Sequence, residues 1–563
     1  MYKMIHIFFR RRKIVGLRGS IRGYSILKRR RKIGVLRDIK SRLVDCTLDQ
    51  LGAQGSKFIF GKSVSQSELV IRQMLLQRHG GSALIKKILE SIGNPSCAIV
   101  YPMPKEWRTL LKSQGVNVNE IKSRVAWAIL VFLYFGWGVL NIIYLAATSA
   151  MRTLRRTSYK NRCYVYFNGL TVANLPVSGG VRSCDICSWY IHWRGHLAGL
   201  EAVRHSVFGA NAATIDGCTV EYAAEPFYIF RGIRNILHFI IWGGFSIIVA
   251  AMDGLRGRWW NALALSEASR AKCVQLCDTN ELAREYLFHY SGTIYRPMWT
   301  YEAEAKGAKI ICYFYSTSEQ VKLPSGYVSQ QYEWGAASWP NYLVWDFYQE
   351  SLIRRDIDSN ANIQIVGPIW FGDSNIEVPK INDITIGVFD IQPHQQASYF
   401  GFNTNCDYHT VEYPRMQIQF LEDIHLVLRE CGVIMAFKKK REIGKRGVKK
   451  YLKLLEKLSL SPNVVLIPPS ISPIRIIEKC FATISMPFTS TAHYNFGSSN
   501  LRAYYDPTGW IQKDDRGAHG VQILSGIEEL RCWVKAIVAK FSNDLQGDLD
   551  RSGFVEQSKN GRV

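Results

Sequence analysis

From Ile384 onward the chain alternates between two kinds of apolar pattern. Short β-branched runs, "ITIGVFDIQPH", "GVIMAFKKKR", "NVVLIPP", "FATISMPF" and "LRAYYDP", read as strands. Between them, "RMQIQFLEDIHLVLREC" places Ile418, Leu421, Ile424 and Leu428 at helical spacing, and "VKKYLKLLEKLSL" and "SPIRIIEKC" give two more helices. Apolar strands alternating with helices predict an α/β domain whose parallel sheet is covered on both faces. Residues 282–371 carry the same texture. There "KIICYFYS", "YLVWDFYQ" and "IQIVGPIWF" read as strands of a first α/β half.

Two stretches break this alternation. Val125–Ala147 holds no charged residue and is long enough to cross a bilayer; Leu237–Met252 is shorter and marginal as a span. The flanking charges choose no orientation. Lys122 and Arg124 precede the first stretch, and Arg152, Arg155 and Arg156 follow it. One span and two spans both strain the tendency of basic residues to stay on one side. Glycines between aromatics, Gly136 and Gly138 in "FGWG" and Gly243 and Gly244 in "WGGF", suggest a third arrangement. Each stretch would kink there and return as a re-entrant or interfacial hairpin.

At 563 residues the chain exceeds one ordinary domain, and 47% hydrophobic content with 12% aromatic excludes wholesale disorder. The formal net charge is +25, unevenly spread: residues 1–42 hold 15 Lys/Arg and one acidic residue. Such a run suits a nucleic-acid arm or a tail on anionic lipid. The apolar stretches downstream favour a membrane partner over nucleic acid. Thirteen cysteines, an odd number, suit reduced thiols better than a disulfide framework. The lone "CDIC" (Cys184, Cys187) lacks a second ligand pair, and "DID" (Asp356, Asp358) sits in a polar loop, so no metal site is expected.

In open parallel sheets ligands bind beyond the carboxyl ends of the strands. The residues there are Asp390, Gln392 and His394 after the first strand of the second half, and Lys438, Lys439, Lys440 and Arg441 after the next. Ser485, Thr489, Ser490 and Thr491 follow "FATIS", and Asp506 ends "LRAYYD". A strand, a tight turn and hydroxyls at a helix N-terminus predict an anion cradle, which the lysines reach from the neighbouring strand. The bland alternative is that Ser490 or Thr491 only caps its helix. Asp346 closes "VWD" in the first half, as a base candidate or as a cap. Neither GxGxxG after a strand nor GxxxxGK[ST] occurs, which weakens dinucleotide and P-loop readings.

"ISMPFTSTA", with "YYDP", "IQKDDRGAHG" and "VFDIQPH", resembles the bacterial surface-polysaccharide biosynthesis proteins named for a PFTS motif. Upstream, "FHYSGTIYRPMWTYEAE" and "LVWDFYQ" resemble the same group, so the likeness runs from about Glu281 to Trp533. It implies a glycosyltransferase with a GT-B-like pair of facing Rossmann-type domains and an N-terminal membrane-associated helical region. The implied partners are a nucleotide-sugar donor, CMP-linked sugars being one class, and a glycan or lipid-linked glycan acceptor. The implied place is the cytoplasmic face of the bacterial inner membrane, with no cofactor.

The expected organisation is a basic tail (1–45), a small helical region (46–120), an apolar membrane segment (121–152) and a short α/β insert (153–234). A second apolar segment (235–260), a first Rossmann-like half (261–375), a second, nucleotide-binding half (376–541) and a polar tail (542–563) follow. Phosphate contacts map to Ser485, Thr489, Ser490 and Thr491, with Lys438, Lys440, Lys513 and Arg516 as cations. Asp390 or His394, with Asp346 as the alternative, would deprotonate the acceptor in a metal-independent, inverting transfer. One departure stands out. GT-B donor helices often carry a glutamate and a Gly-Lys-Pro-like turn, where this chain has "AHYNFGSSNLRAYYDP". A CDP-polyol phosphotransferase of similar fold and a non-catalytic assembly partner remain as alternatives.

Overall fold

The structure, a computed structural model, describes single positions between 20 and 47 and then residues 64–79, 82–155, 163–176, 185–194, 199–289, 295–316, 337–369, 377–379, 384–393, 414–444, 447–494 and 501–559. Two sheets organise it. The first comprises β1 (Tyr164–Asn168), β2 (Ala202–His205), β3 (Ala213–Ile215), β4 (Cys218–Tyr222), β5 (Glu285–His289), β6 (Lys309–Tyr313), β7 (Asn341–Val344) and β8 (Asn362–Ile365). Its order is β3-β4-β2-β1-β5-β6-β7-β8, with only the β3–β4 pair antiparallel. The second comprises β9 (Thr385–Phe389), β10 (Ile434–Lys438), β11 (Val464–Ile467), β12 (Ala482–Ser485), β13 (Leu501–Asp506) and β14 (Gln522–Ser525). Its order, β11-β10-β9-β12-β13-β14, is that of a dinucleotide-type doubly wound sheet. Strand order reverses once in each sheet, between β1 and β5 and between β9 and β12. In doubly wound sheets ligands bind outside the carboxyl ends of the strands at such points.

The chain is therefore α/β, with two Rossmann-type halves. The central strands are largely apolar because both faces are covered, whereas the edge strands β3 and β8 stay mostly open. β9 is buried at all five positions, beneath helices whose inner stripes recur every three or four residues. Before the sheets come α1 (Val64–Arg78), α2 (Ser82–Gly93), α3 (Lys105–Ser113) and α4 (Glu120–Leu154). Then come α5 (Ile186–Arg194), α6 (Ile233–Leu255), α7 (Trp260–Leu276), α8 (Trp299–Ala305) and α9 (Phe347–Asp356). The second half adds α10 (Arg415–Glu430), α11 (Lys449–Ser459), α12 (Pro473–Ile477) and α13 (Gly526–Lys559). Met416, Phe420, Ile424 and Val427 of α10 bury one such stripe.

Two expectations change. The "insert" is part of the first half: β1 pairs in parallel with β5 from Val165↔Glu285 to Asn168↔Phe288. Parallel neighbours need a crossover, and here α6 and α7 supply it, so partners in space lie far apart in sequence. The glycines of the apolar stretches also make no kink. α4 and α6 are continuous helices, and a Cβ on Gly138 would lie 2.6 Å from Leu265 Cβ, one on Gly243 2.7 Å from Ile142 Cγ2. These glycines let helices approach closely.

Ser123, Trp127, Leu130, Tyr134, Gly138, Ile142, Leu145 and Ser149 form one buried stripe along the whole of α4. Asn141 Nδ2 donates to Ser269 Oγ of α7 at 2.6 Å. Arg108 holds the start of α4 through Glu120 (2.7 Å), and Arg152 near its end meets Glu281 (2.6 Å).

Candidate functional site

The second sheet reverses beside Asp390, which directly follows β9. Its carboxyl is buried; Oδ2 accepts from the Tyr451 hydroxyl of α11, and Oδ1 has no hydrogen-bond partner among the described residues. Burial pushes this carboxyl up to about 7, against the pull of the Tyr451 hydrogen bond and the charges of Lys440 and Lys438. One strand away, the Lys438 amine at the end of β10 donates to the carbonyls of Pro469 and Lys439, both at 3.3 Å. Burial, then the Lys440 charge, lowers it to about 8. Gln392 ties the loops after β9 and β10 together: it donates to Arg441 O (2.8 Å) and accepts from Arg441 N (2.7 Å). His394 lies outside the described residues.

On the other side of β9, the residues after β12 differ from expectation. No long helix follows the turn; Ser490–His493 is a one-turn 3-10 helix with Thr489 at its N-cap and no side-chain capping bond. A single turn has little dipole to offer an anion. The hydroxyls instead bond to one another. Ser485 Oγ lies 3.0 Å from Thr491 Oγ1, which lies 3.2 Å from Thr489 Oγ1, and Thr489 donates to Met486 O at 2.8 Å. Tyr504 of β13 donates to Thr489 O at 2.8 Å, which pins the turn.

The polar loop before β14 also divides. Lys513 is held by Ile523 O at 2.6 Å and by Glu529, so it braces the loop. Arg516 is exposed. Asp506 is buried and binds Thr508 N and Oγ1 and Ile511 N, which clasps its loop. The Asp515 carboxylate accepts from Gly517 N at 2.8 Å. That turn sets His519 in the left-handed region, φ +48°.

The halves meet here. His519 Nδ1 lies 2.7 Å from Asp346 Oδ2, and the other oxygen of Asp346 accepts Gln349 N at 3.0 Å. Asp346 is thus the cap that its position at the start of α9 suggests, and it also reaches across to the second half. Burial pushes its carboxyl up, but the His519 hydrogen bond and charge and the Gln349 N–H outweigh that and hold it below the usual range. His493 stands edge-on to His519, ring centroids 4.8 Å apart, with Nε2 2.8 Å from the Tyr504 hydroxyl Oη. Tyr504 spends its proton on Thr489 O, so His493 Nε2–H is the donor to it. Burial and the neighbouring His519 depress His493 to about 3. A continuous path therefore joins Asp346, His519, His493, Tyr504 and the Thr489 turn.

Among the described residues, Asp346, His493 and His519 also form a group whose ligand-type atoms all lie within 4.8 Å, the donor types a divalent metal takes. In this geometry Asp346 and His519 bind each other. Asp356 of "DID" pairs with Arg355 at the end of α9.

The structure thus brings Asp346 together with two histidines, which strand-end reasoning missed because one ends a one-turn helix and the other follows one, both in loops. It leaves Asp390 and Lys438 buried within the second half. At the first sheet's reversal another histidine appears: His289 Nε2, ending β5, lies 3.3 Å from Gly169 O after β1.

A family model described as "Polysaccharide biosynthesis PFTS motif protein" matches residues 237–534. No curated protein matches the chain. Among solved structures, sucrose-phosphate synthase from Thermosynechococcus elongatus is similar at 9% identity and TM-score 0.33, covering 67% of this chain and 90% of that one. An E. coli structure described as trehalose-6-phosphate bound with UDP-2-fluoro glucose is similar at 9% identity and TM-score 0.34, covering 67% and 91%. Likeness at that level carries no functional argument.

Proposed function

Because the chain belongs to the polysaccharide-biosynthesis PFTS motif family, we propose that it is a metal-independent glycosyltransferase. In this reading the second half takes the phosphate of a nucleotide-activated donor, of which CMP-linked sugars are one class. A membrane-associated glycan is the acceptor, at the inner face of the cytoplasmic membrane.

One observation carries the chemistry: the Asp346–His519 bond of 2.7 Å, which joins the two halves. The imidazole N–H holds the carboxylate in one orientation, as a positioned general base requires. Asp346, the partly open member of the pair, takes the proton of the acceptor hydroxyl, while the His519 side chain, 2% exposed, holds it in place. The acceptor oxygen bonds the anomeric carbon as the carbon–oxygen bond to the donor phosphate breaks, and this single displacement inverts the centre. Developing charge on the leaving phosphate is met at the half-buried turn by Ser490 and by Thr489 and Thr491, whose mutual bond gives way to it, with buried Ser485 holding Thr491 and with Lys440 and Arg516 as exposed cations. Lys438 supports the site from below as a buried cation. Of the base candidates, Asp346 has the better claim, since its carboxyl is partly open to solvent, with 31% of its side chain exposed, whereas Asp390 is buried beneath Tyr451.

The test is thermal stabilisation of the full chain by CMP, CDP, UDP and GDP, followed by transfer assays with the matching donor. A nucleotide at about 100 times its Kd stabilises by roughly 2.7 kcal/mol. A shift for one nucleotide, lost in Thr489→Ala, supports the reading and names the donor class. Phosphorus entering the acceptor would turn it into a polyol-phosphate transferase. No shift with any nucleotide would overturn it in favour of an assembly partner.

A further inference from the structure

We propose that the outward faces of α4 and α6 form a docking surface that lies in the plane of an anionic lipid leaflet, and that neither helix crosses the bilayer. By length and hydropathy both helices qualify as spans. The connections around them forbid it.

If α4 alone crossed, the N-terminal helices and the two sheets would lie on opposite sides. Yet Gln73 of α1 donates to Ser338 Oγ at 2.8 Å and accepts from Arg296 N at 3.2 Å, both residues of the first half. If α4 and α6 both crossed, residues 156–232 would lie beyond the bilayer. Yet β1 within that segment pairs with β5 in one sheet. α7 runs beneath both helices carrying Glu267, Arg270 and Lys272, which a crossing pair would draw into hydrocarbon. The inner stripe of α4 is docked on protein from Trp127, edge-on to Trp259, to Ser149.

The opposite faces are bare and apolar. No Asp, Glu, Lys or Arg occurs from Val125 to Met151 or from Asn235 to Met252. Phe132 and Ile241 are 70% and 71% exposed, and Leu140, Ile143, Phe245 and Ile248 are each more than half exposed. A patch this continuous on a soluble surface marks a partner.

Charge selects the bilayer as that partner. The apolar face is bounded at both ends by exposed cations, Lys122, Arg124 and Arg155 of the α4 flanks and Arg231, Arg234 and Arg256 of the α6 flanks. Long basic side chains at the rim reach lipid phosphates while the apolar residues between them sink below the headgroups. Exposed Trp137 and Tyr144 suit the same boundary. A second copy fits worse, because a two-fold contact between antiparallel α4 helices sets Lys122 and Arg124 against Arg155 of the other copy. The basic run in residues 1–42 adds attraction of the same sign.

The inference is independent of the transfer chemistry, because binding is read without donor or acceptor. The test is flotation of the full chain with sealed vesicles of phosphatidylcholine alone or with phosphatidylglycerol. Binding should be at least tenfold stronger to the anionic vesicles, fall with salt, and drop at least tenfold in Phe132→Ser/Phe245→Ser, whose melting temperature should match the parent. In membranes of expressing cells, trypsin should cut at Lys122–Arg124 and at Arg155–Arg156 from one side only. Three results would overturn the proposal: cleavage of those sites from opposite sides; equal binding to neutral vesicles that ignores the double substitution; or a solution dimer, abolished by that substitution, with no vesicle binding.

Discussion

Asp390 and Asp346 are both aspartates just past a parallel strand, one in each half, and their surroundings are opposite. Asp390 is sealed under Tyr451, with one oxygen unpartnered among the described residues and its carboxyl raised to about 7. Asp346 is partly open, held below the ordinary carboxylate range, and has both oxygens answered, by His519 and by Gln349. Position at a strand end nominates both. Only the environment decides which can exchange a proton with a substrate: access and a charge at working pH belong to Asp346, whereas Asp390 titrates near neutrality inside the protein.

The sharpest break of this contrast is kinetic. Asp346→Asn keeps the cap of α9, since Asn caps as well as Asp, and should cut transfer about 10²–10⁴-fold with little change in melting temperature. Asp390→Asn should cost less than about tenfold, a few-fold loss being ordinary for a residue remote from the proton. If the two losses exchange places, the assignment of the base is wrong. Chelation with EDTA should leave transfer unchanged; a large loss, restored by one divalent ion, would recast Asp346, His493 and His519 as ligands.

Next in size is the pH dependence of stability. Asp390 carries a folded value raised from the usual carboxylate range to about 7, so the native state binds more protons than the unfolded one between about pH 4 and 7. Its contribution is full below that window and lost as pH rises through it, on the order of 4 kcal/mol. His493, lowered to about 3, acts with the opposite sign: its contribution is present above about pH 6.5 and lost as pH falls. Denaturant titrations from pH 4 to 8 should therefore show Asp390→Asn steepening the gain of stability with pH and His493→Gln flattening it.

Smaller still, Tyr504→Phe removes the donor to Thr489 O and the acceptor for His493, and should destabilise by about 1–3 kcal/mol in chemical denaturation. Smallest, Lys440→Ala should weaken the stabilising nucleotide about tenfold, one charge-assisted contact's worth, whereas Lys513→Ala, already engaged with Glu529, should change that affinity less than about twofold. Isothermal titration compares them directly.

The second sheet was readable from the chain because each strand and its covering helix are neighbours in sequence, as "GVIMAFKKKR" and "VKKYLKLLEKLSL" show. The start of the first sheet was not, because Val165 and Glu285 pair across an interval filled by apolar α6, whose composition speaks of membrane rather than crossover. The site divided the same way. Asp346, Ser485 and Lys438 were visible as strand ends. His493 and His519 were not, since one-turn helices carry no periodicity and the contact from Asp346 to His519 spans 173 residues. The hydroxyls of "PFTST" were found, but not that a single turn would spend them on each other.

The close approach of Leu265 to Gly138 also has a consequence for biosynthesis. α4 is complete at Leu154, well before its cover in α7 leaves the ribosome. At about 5–20 residues per second, several seconds pass in which the outer face of α4, and its inner stripe beyond the part that His79 covers, are bare. During that time a lipid surface is an apolar shelter that needs no further translation. A chain emerging beside a membrane would therefore rest α4 there first and fold its own α7 onto the inner stripe afterwards, leaving the outer face where it began.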